Sequence, residues 1–228
     1  MALNKRFIEA CKTGDLDYIR EIYKLNPTID ISAYEEAFMW ACENGYLTVV
    51  RQLYEWKLTI DISFCVEIVF TKACENGHLD VVRQLYEWKP TIDILDEYED
   101  AFIWACENGH LDVVRQLYKW KPTIDISAYE EYAFRWACKN GHLDVVRQLY
   151  EWKPTIDISA KDEDAFRMAC REGHLEVIRQ LFEWKPTIDI SKFNQYRSLF
   201  LSLRITLPNT LTKKYDSSDD DDDDDDIS

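Results

Sequence analysis

Glycine is scarce in this chain: six residues in 228, none closer to another than 31 positions. Loops that cradle phosphates need two or more glycines within a few residues, so a nucleotide-binding loop of that kind is excluded. Cationic residues are also short. Twenty-seven lysines and arginines face 43 aspartates and glutamates, for a net charge of −16. Such a surface repels phosphate, which argues against nucleic acid as a partner. No run of about 18 apolar residues is present to span a membrane. The opening "MALNKRFIEACKTGDLDYIR" has neither an apolar h-region nor a small-residue cleavage site, so no secretory signal is expected. Ser-centred elbows and paired catalytic carboxylates are missing too. The seven cysteines are an odd number and six recur at one position. That is no disulfide framework, and it points to a reducing, intracellular setting.

What the chain does have is repetition. Ala10, Ala41, Ala73, Ala105, Ala137 and Ala169 each precede a cysteine, at intervals of 31, 32, 32, 32 and 32 residues. "NGHLDVVRQLY" occurs word for word at 76–86, 108–118 and 140–150. Gly14, Gly45, Gly77, Gly109, Gly141 and Gly173 share one slot, and Pro27, Pro90, Pro122, Pro154 and Pro186 share another. Backbone-shaping residues confined to fixed phases mean that one supersecondary unit is repeated, which predicts a solenoid.

Within a unit, "DAFIWACEN" at 100–108 gathers Phe102, Ala105 and Cys106 on one side of a short helix. Gly109 ends it. "LDVVRQLYKW" at 111–120 follows as a second helix, with Val113, Val114, Leu117 and Trp120 on one stripe and Asp112, Arg115, Gln116 and Lys119 turned to water. Pro122 stops that helix. "TIDIS" alternates β-branched and polar residues, as in a short extended or hairpin arm.

The helix, glycine turn, helix and arm, with "ACENGHLDVV" at their centre, resemble the ankyrin repeat over roughly residues 4–191. The resemblance implies an all-α solenoid of about six 32-residue units. It also implies a non-enzymatic role in protein–protein interaction. Units near 34 residues occur in tetratricopeptide arrays, but those lack the Gly-His turn and the arm. Phe7, Phe38, Phe70, Phe102, Phe134 and Phe166 hold a slot that is leucine in the family, and Lys-Pro replaces its Gly-Ala after helix two. The phrases "KPTIDIS" and "AFRWACKNGHLDVV" resemble the paralogous ankyrin-type proteins of mimivirus-like giant viruses. That implies a viral protein acting in the host cytoplasm, nucleus or virion.

Cys74/His78, Cys106/His110, Cys138/His142 and Cys170/His174 have a Cys-x3-His spacing. Read alone, each could be half a zinc site or a nucleophile with its base. A structural zinc needs four ligands at roughly 2.0–2.3 Å, whereas one unit offers two and its neighbours stack roughly 8–10 Å away. The cysteine also persists where Asp15 and Tyr46 replace the histidine. An active site is built once, in a setting that tunes unlike groups, not in four equivalent copies. The cysteines are expected as small buried residues, the histidines as braces of the glycine turns, and neither metal nor cofactor is expected.

Function is therefore sought where the copies differ. The slot before each Ala-Cys pair holds Glu9, Trp40, Lys72, Trp104, Trp136 and Met168. This ladder lies away from the small-residue face and is expected to line a concave, partner-binding groove. Otherwise Lys72 stacks between Trp40 and Trp104 with no partner involved. The arm tips vary likewise, and Tyr34, Phe64, Tyr98, Tyr129 and Lys161 are the candidate contacts there. By contrast, Trp56, Trp88, Trp120, Trp152 and Trp184 end the second helices and fit the buried stripe.

The array is expected to run over 1–191, with a polar first unit as its cap. Phe193, Tyr196, Leu199, Phe200 and Leu203 have helical spacing, which predicts a degenerate capping helix over 192–211. "LPNTL" at 207–211 resembles part of the F-box-like ending of poxvirus ankyrin proteins, and so offers a second reading as a ubiquitin-ligase adaptor. Residues 212–228 carry two lysines and nine aspartates, and such a tail is expected to be disordered. A third reading makes it a binder of basic proteins. Ser217 and Ser218, each with an aspartate three positions on, are candidate phosphorylation sites.

Overall fold

The computed structural model describes residues 2–56, 66–89 and 95–204. Among them are thirteen α-helices and no strand. Six helix pairs follow the six sequence units. They are α1 (Ala2–Thr13) with α2 (Leu16–Leu25), α3 (Ile31–Glu43) with α4 (Leu47–Trp56), and α5 (Val66–Glu75) with α6 (Leu79–Trp88). Next come α7 (Leu95–Glu107) with α8 (Leu111–Trp120), α9 (Ala128–Lys139) with α10 (Leu143–Trp152), and α11 (Ala160–Glu172) with α12 (Leu175–Trp184). A 3-10 helix, Ile190–Tyr196, and α13, Arg197–Ser202, follow. Odd-numbered helices up to α11 stack in one layer, and the even-numbered helices from α4 to α12 stack in a second.

Both layers form for reasons visible in the repeat. Each second helix after α2 buries its Val-Val-Leu or Val-Ile-Leu stripe, as at Val113, Val114 and Leu117, and α2 buries Ile19 and Ile22. Each first helix buries its phenylalanine, alanine and cysteine, and the six phenylalanines from Phe7 to Phe166 are all at most 3% exposed. Burying each such ring contributes about 1.5–3 kcal/mol. The chain leaves every first helix through a glycine at positive φ, a conformation that costs glycine nothing because it lacks Cβ.

Three features depart from the sequence reading. The described arms are turns, not extended limbs. Ile124 N–H donates to the Lys121 carbonyl at 3.2 Å and Ile158 N–H to Ile156 at 3.1 Å, so the arm satisfies its backbone within itself. Ile124, Ile126, Ile156 and Ile158 are all buried beneath it. The tryptophans ending the second helices are half-buried and stack on the preceding unit's tyrosine. Tyr23–Trp56, Tyr54–Trp88, Tyr86–Trp120, Tyr118–Trp152 and Tyr150–Trp184 lie 3.8–4.0 Å apart between ring centroids.

The arginines of the VVRQL phrase, read as solvated, bridge units. Arg20, Arg51, Arg83, Arg115 and Arg147 each donate Nε–H to the glutamine of the next unit, at 2.6–3.0 Å. At the far end Phe193 and Phe200 are buried against Phe166, at 5.3 and 6.0 Å. Residues 190–202 thus cover the last unit.

Candidate partner-binding face

The turn histidines come first, because their role decides whether any chemistry resides in the repeat. Each brace crosses a unit boundary. His78 Nε2–H donates to the Glu43 carbonyl of the preceding unit at 2.8 Å, and its ring fills the space left by the missing side chain of Gly45. His110 sits in the same way on Gly77, His142 on Gly109 and His174 on Gly141. Tyr46 does the same over Gly14. The expectation that each histidine bonds its own turn is corrected: stacking brings a ring from one copy over the glycine of the copy before.

Burial pushes the Cys11 and Cys170 thiols up to about 12, and raises Cys74, Cys106 and Cys138 as well. A protonated, buried thiol is neither nucleophile nor ready ligand. Among the described residues no group of three or more His, Cys, Asp or Glu is placed to hold a metal. No described helix is long and apolar enough to cross a membrane.

Burial lowers the pKa of His78 and His142, against the hydrogen bonds they make to the Glu43 and Glu107 carbonyls. Above about pH 6.5 these rings are neutral in both folded and unfolded chains. Below it the unfolded chain takes up protons that the packed rings refuse, so stability is lost as pH falls toward the lowered folded value. Replacing both by tyrosine, the residue already over Gly14, should flatten the fall in urea midpoint between about pH 6.5 and 5. An unchanged slope would show that these rings do not titrate with unfolding.

The ladder before the Ala-Cys pairs lies on the first helices, and its members stand in unlike surroundings. Trp40 is half-buried, donates Nε1–H to Glu36 at 3.4 Å, and has Lys12 Nζ 4.5 Å from its ring. Trp136 is half-buried, stacked on Tyr132 at 5.3 Å, with Lys139 Nζ 3.4 Å from its ring. Lys72 is exposed and bonds Glu75 at 2.6 Å; it is not sandwiched between Trp40 and Trp104. Trp104 is 39% exposed and borders a cavity of about 280 Å³ with Glu67, Ile68, Thr71, Lys72 and Glu75. Met168 is buried, a correction to its place in an open ladder: α11 packs against the 3-10 helix, and an apolar side chain there is covered.

The arm-tip residues also separate. Tyr34 is a correction, because it belongs to α3, is 2% exposed and stacks on Phe7 at 6.0 Å. Phe64 lies outside the described residues, as do the Tyr98 side chain and Ser217 and Ser218. Tyr129 is 62% exposed and Lys161 is exposed, with its ammonium 3.0 Å from Glu130.

Sequence reading missed the local backbone here entirely. Tyr129–Glu131 and Lys161–Glu163 each run three residues at φ between 51° and 63°, a left-handed turn at the start of α9 and of α11. Arg135 holds the first of these turns. It donates Nε–H to the Glu130 carbonyl at 2.8 Å and Nη2–H to Tyr129 at 3.4 Å, while Nη1 pairs with buried Asp164 at 2.6 Å. Lys192 ties down the second through Asp162 and Glu163, at 2.8 and 3.2 Å.

Comparison with known proteins shows what the chain is similar to. Residues 61–130 match the family model described as ankyrin repeats, three copies. No curated protein matches the chain. The human ASB11 ankyrin repeat domain is similar at a TM-score of 0.58 and 18% identity, over 78% of this chain and 83% of that one. An ankyrin repeat family protein from Legionella pneumophila is similar at 0.55 and 26% identity, over 75% of this chain and 58% of that one. The present chain thus spans somewhat over half of the bacterial protein's length.

Proposed function

We propose that this chain, an array of ankyrin repeats, is a non-enzymatic scaffold that binds a protein partner along the exposed face of its first helices and the neighbouring arm tips. One observation carries the proposal. In an array whose repeated positions are packed shut, Trp104 and Ile68 remain 39% and 54% exposed beside a cavity, at slots where the copies differ. Exposed aromatic and aliphatic side chains grouped at one place mark interaction surfaces more often than chance solvation does. Tyr129 and Lys161, held out on left-handed turns, extend the same surface. The repeated cysteines are buried and held protonated, which fits a packing role for them in a binding scaffold. A reducing, intracellular setting suits those free thiols.

The adaptor reading gains less, because residues 190–202 are occupied in covering Phe166. Residues 205–228, with the acidic tail, lie outside the described residues.

The test is affinity capture from candidate host extracts followed by hydrogen exchange on the complex. Protection is expected on α3, α5, α7 and α9. The Trp104→Ala, Trp136→Ala double variant should lose the partner by at least about tenfold, on the scale of an interface aromatic hot spot, with its urea midpoint little changed. Protection confined to α4–α12 of the second layer would overturn this assignment of the face.

A further inference from the structure

The indole of Trp104 differs from its two neighbours in what covers it. Trp40 takes Lys12, which follows the Ala-Cys pair of the preceding unit, and Trp136 takes Lys139, at that position in its own unit. For Trp104 both positions are carboxylates, Glu75 from the preceding unit and Glu107 from its own. No lysine or arginine of the described residues lies over this ring. Lys72, the nearest candidate on the cavity wall, is bonded to Glu75.

A second observation points the same way. Glu67, on α5, lines the cavity with Trp104 and makes no ion pair with another described residue. Ile68, in the slot that holds Asp100, Tyr132 and Asp164 in later units, gives the notch an apolar wall.

We propose that the notch between α5 and α7 binds a lysine side chain of a partner protein, its ammonium on the Trp104 ring and bonded to Glu67, with an adjacent apolar residue on Ile68. This deepens the scaffold reading and rests on it. The two flanking tryptophans show the geometry that the repeat gives to an ammonium. At Trp104 no described residue supplies that cation, and the notch offers the Glu67 carboxylate instead. The cavity, about 280 Å³, has room for a side chain and not for a folded element. Cation–π contact and a charge-assisted bond act together in a partly desolvated notch, where each is stronger than in open water.

The probes are acetyl-Ala-Leu-Lys-Ala-amide and its acetyl-lysine twin, titrated into the full chain while the tryptophan indole N–H resonances are followed. The Trp104 resonance is assigned through Trp104→Phe. The lysine peptide should shift that resonance saturably with Kd at or below roughly 1 mM. Trp40 and Trp136 should stay in place, and the neutral twin should bind about tenfold more weakly. Glu67→Gln, near-isosteric and checked for an unchanged urea midpoint, should weaken the lysine peptide toward the level of the twin.

Equal binding of the two peptides, equal shifts at all three indoles, or no saturable shift overturns the proposal. A shift that follows protein concentration without peptide overturns it also, because a second copy would then fill the notch. Any of these failures alongside hydrogen-exchange protection of the first-helix face by a captured partner removes the lysine notch and leaves the scaffold standing. Loss of that protection removes the scaffold itself.

Discussion

Gly109→Ala should destabilise the array by about 2–5 kcal/mol, while Gly173→Ala should cost only about 1–2 kcal/mol. Both glycines end a first helix at φ 79°, so an alanine at either meets the same left-handed penalty. They differ in what stands above them. A methyl on Gly109 would lie 2.4 Å from His142 Nδ1, whereas one on Gly173 meets nothing within 4 Å among the described residues. The extra cost at Gly109 is overpacking against a ring that cannot retreat without losing its bond to the Glu107 carbonyl.

His142→Ala should therefore rescue part of the Gly109→Ala loss. The two changes together should be less damaging than their sum by about 1–3 kcal/mol. Urea unfolding of the four proteins of the cycle, with Gly173→Ala alongside, reads this directly. Equal losses at the two glycines would mean that the inter-unit contact contributes nothing beyond backbone strain.

That contact also shows where sequence reading stops in a repeat protein. The glycine and proline phases, the Val-Val-Leu stripe and the phenylalanine column are legible because each is a statement about one unit. The histidine was misplaced because every copy supplies both partners. Gly77 is followed by His78 in the chain, yet in space His78 covers Gly45 and Gly77 is covered by His110. The Arg–Gln bridges and Tyr–Trp stacks hide for the same reason, since they join residues one unit apart between near-identical copies.

The variable positions hide for a different one. Tyr34 reads as an arm-tip residue, but α3 begins at Ile31 and carries it inside. Nothing in "AYEE" or "AKDE" announces a left-handed turn, because glycine, the usual signal for positive φ, is absent there. The difference at Trp104 was written in Glu75 and Glu107, but it acquires meaning only once Lys12 and Lys139 are seen on the neighbouring rings.

The left-handed turn at Tyr129–Glu131 sets up the other large effect. Three consecutive non-glycine residues at positive φ cost about 1–2 kcal/mol each, and such strain survives only where the surroundings over-determine it. Arg135, 5% exposed, is the group that does so, through two carbonyls of the turn and through Asp164, itself 6% exposed on the next unit. Arg135→Met should cost about 3 kcal/mol, the low end of the range for breaking a buried pair from one side, because Arg167 still pairs with Asp164. It should also speed hydrogen exchange at residues 129–131 ahead of the rest of α9.

Arg135→Met with Asp164→Leu separates the two causes. After Arg135→Met the buried Asp164 carboxylate keeps only Arg167 as an ion-pair partner, and replacing it by leucine removes that half-paired charge, so most of the stability should return. The carbonyls of Tyr129 and Glu130 still lack their donor in that protein, so fast exchange at the turn should persist. Recovery of stability and of protection together would show that the turn is held by something other than the guanidinium. Persistence of fast exchange alone would identify Arg135 as the side chain that keeps Tyr129 presented on the proposed partner-binding face.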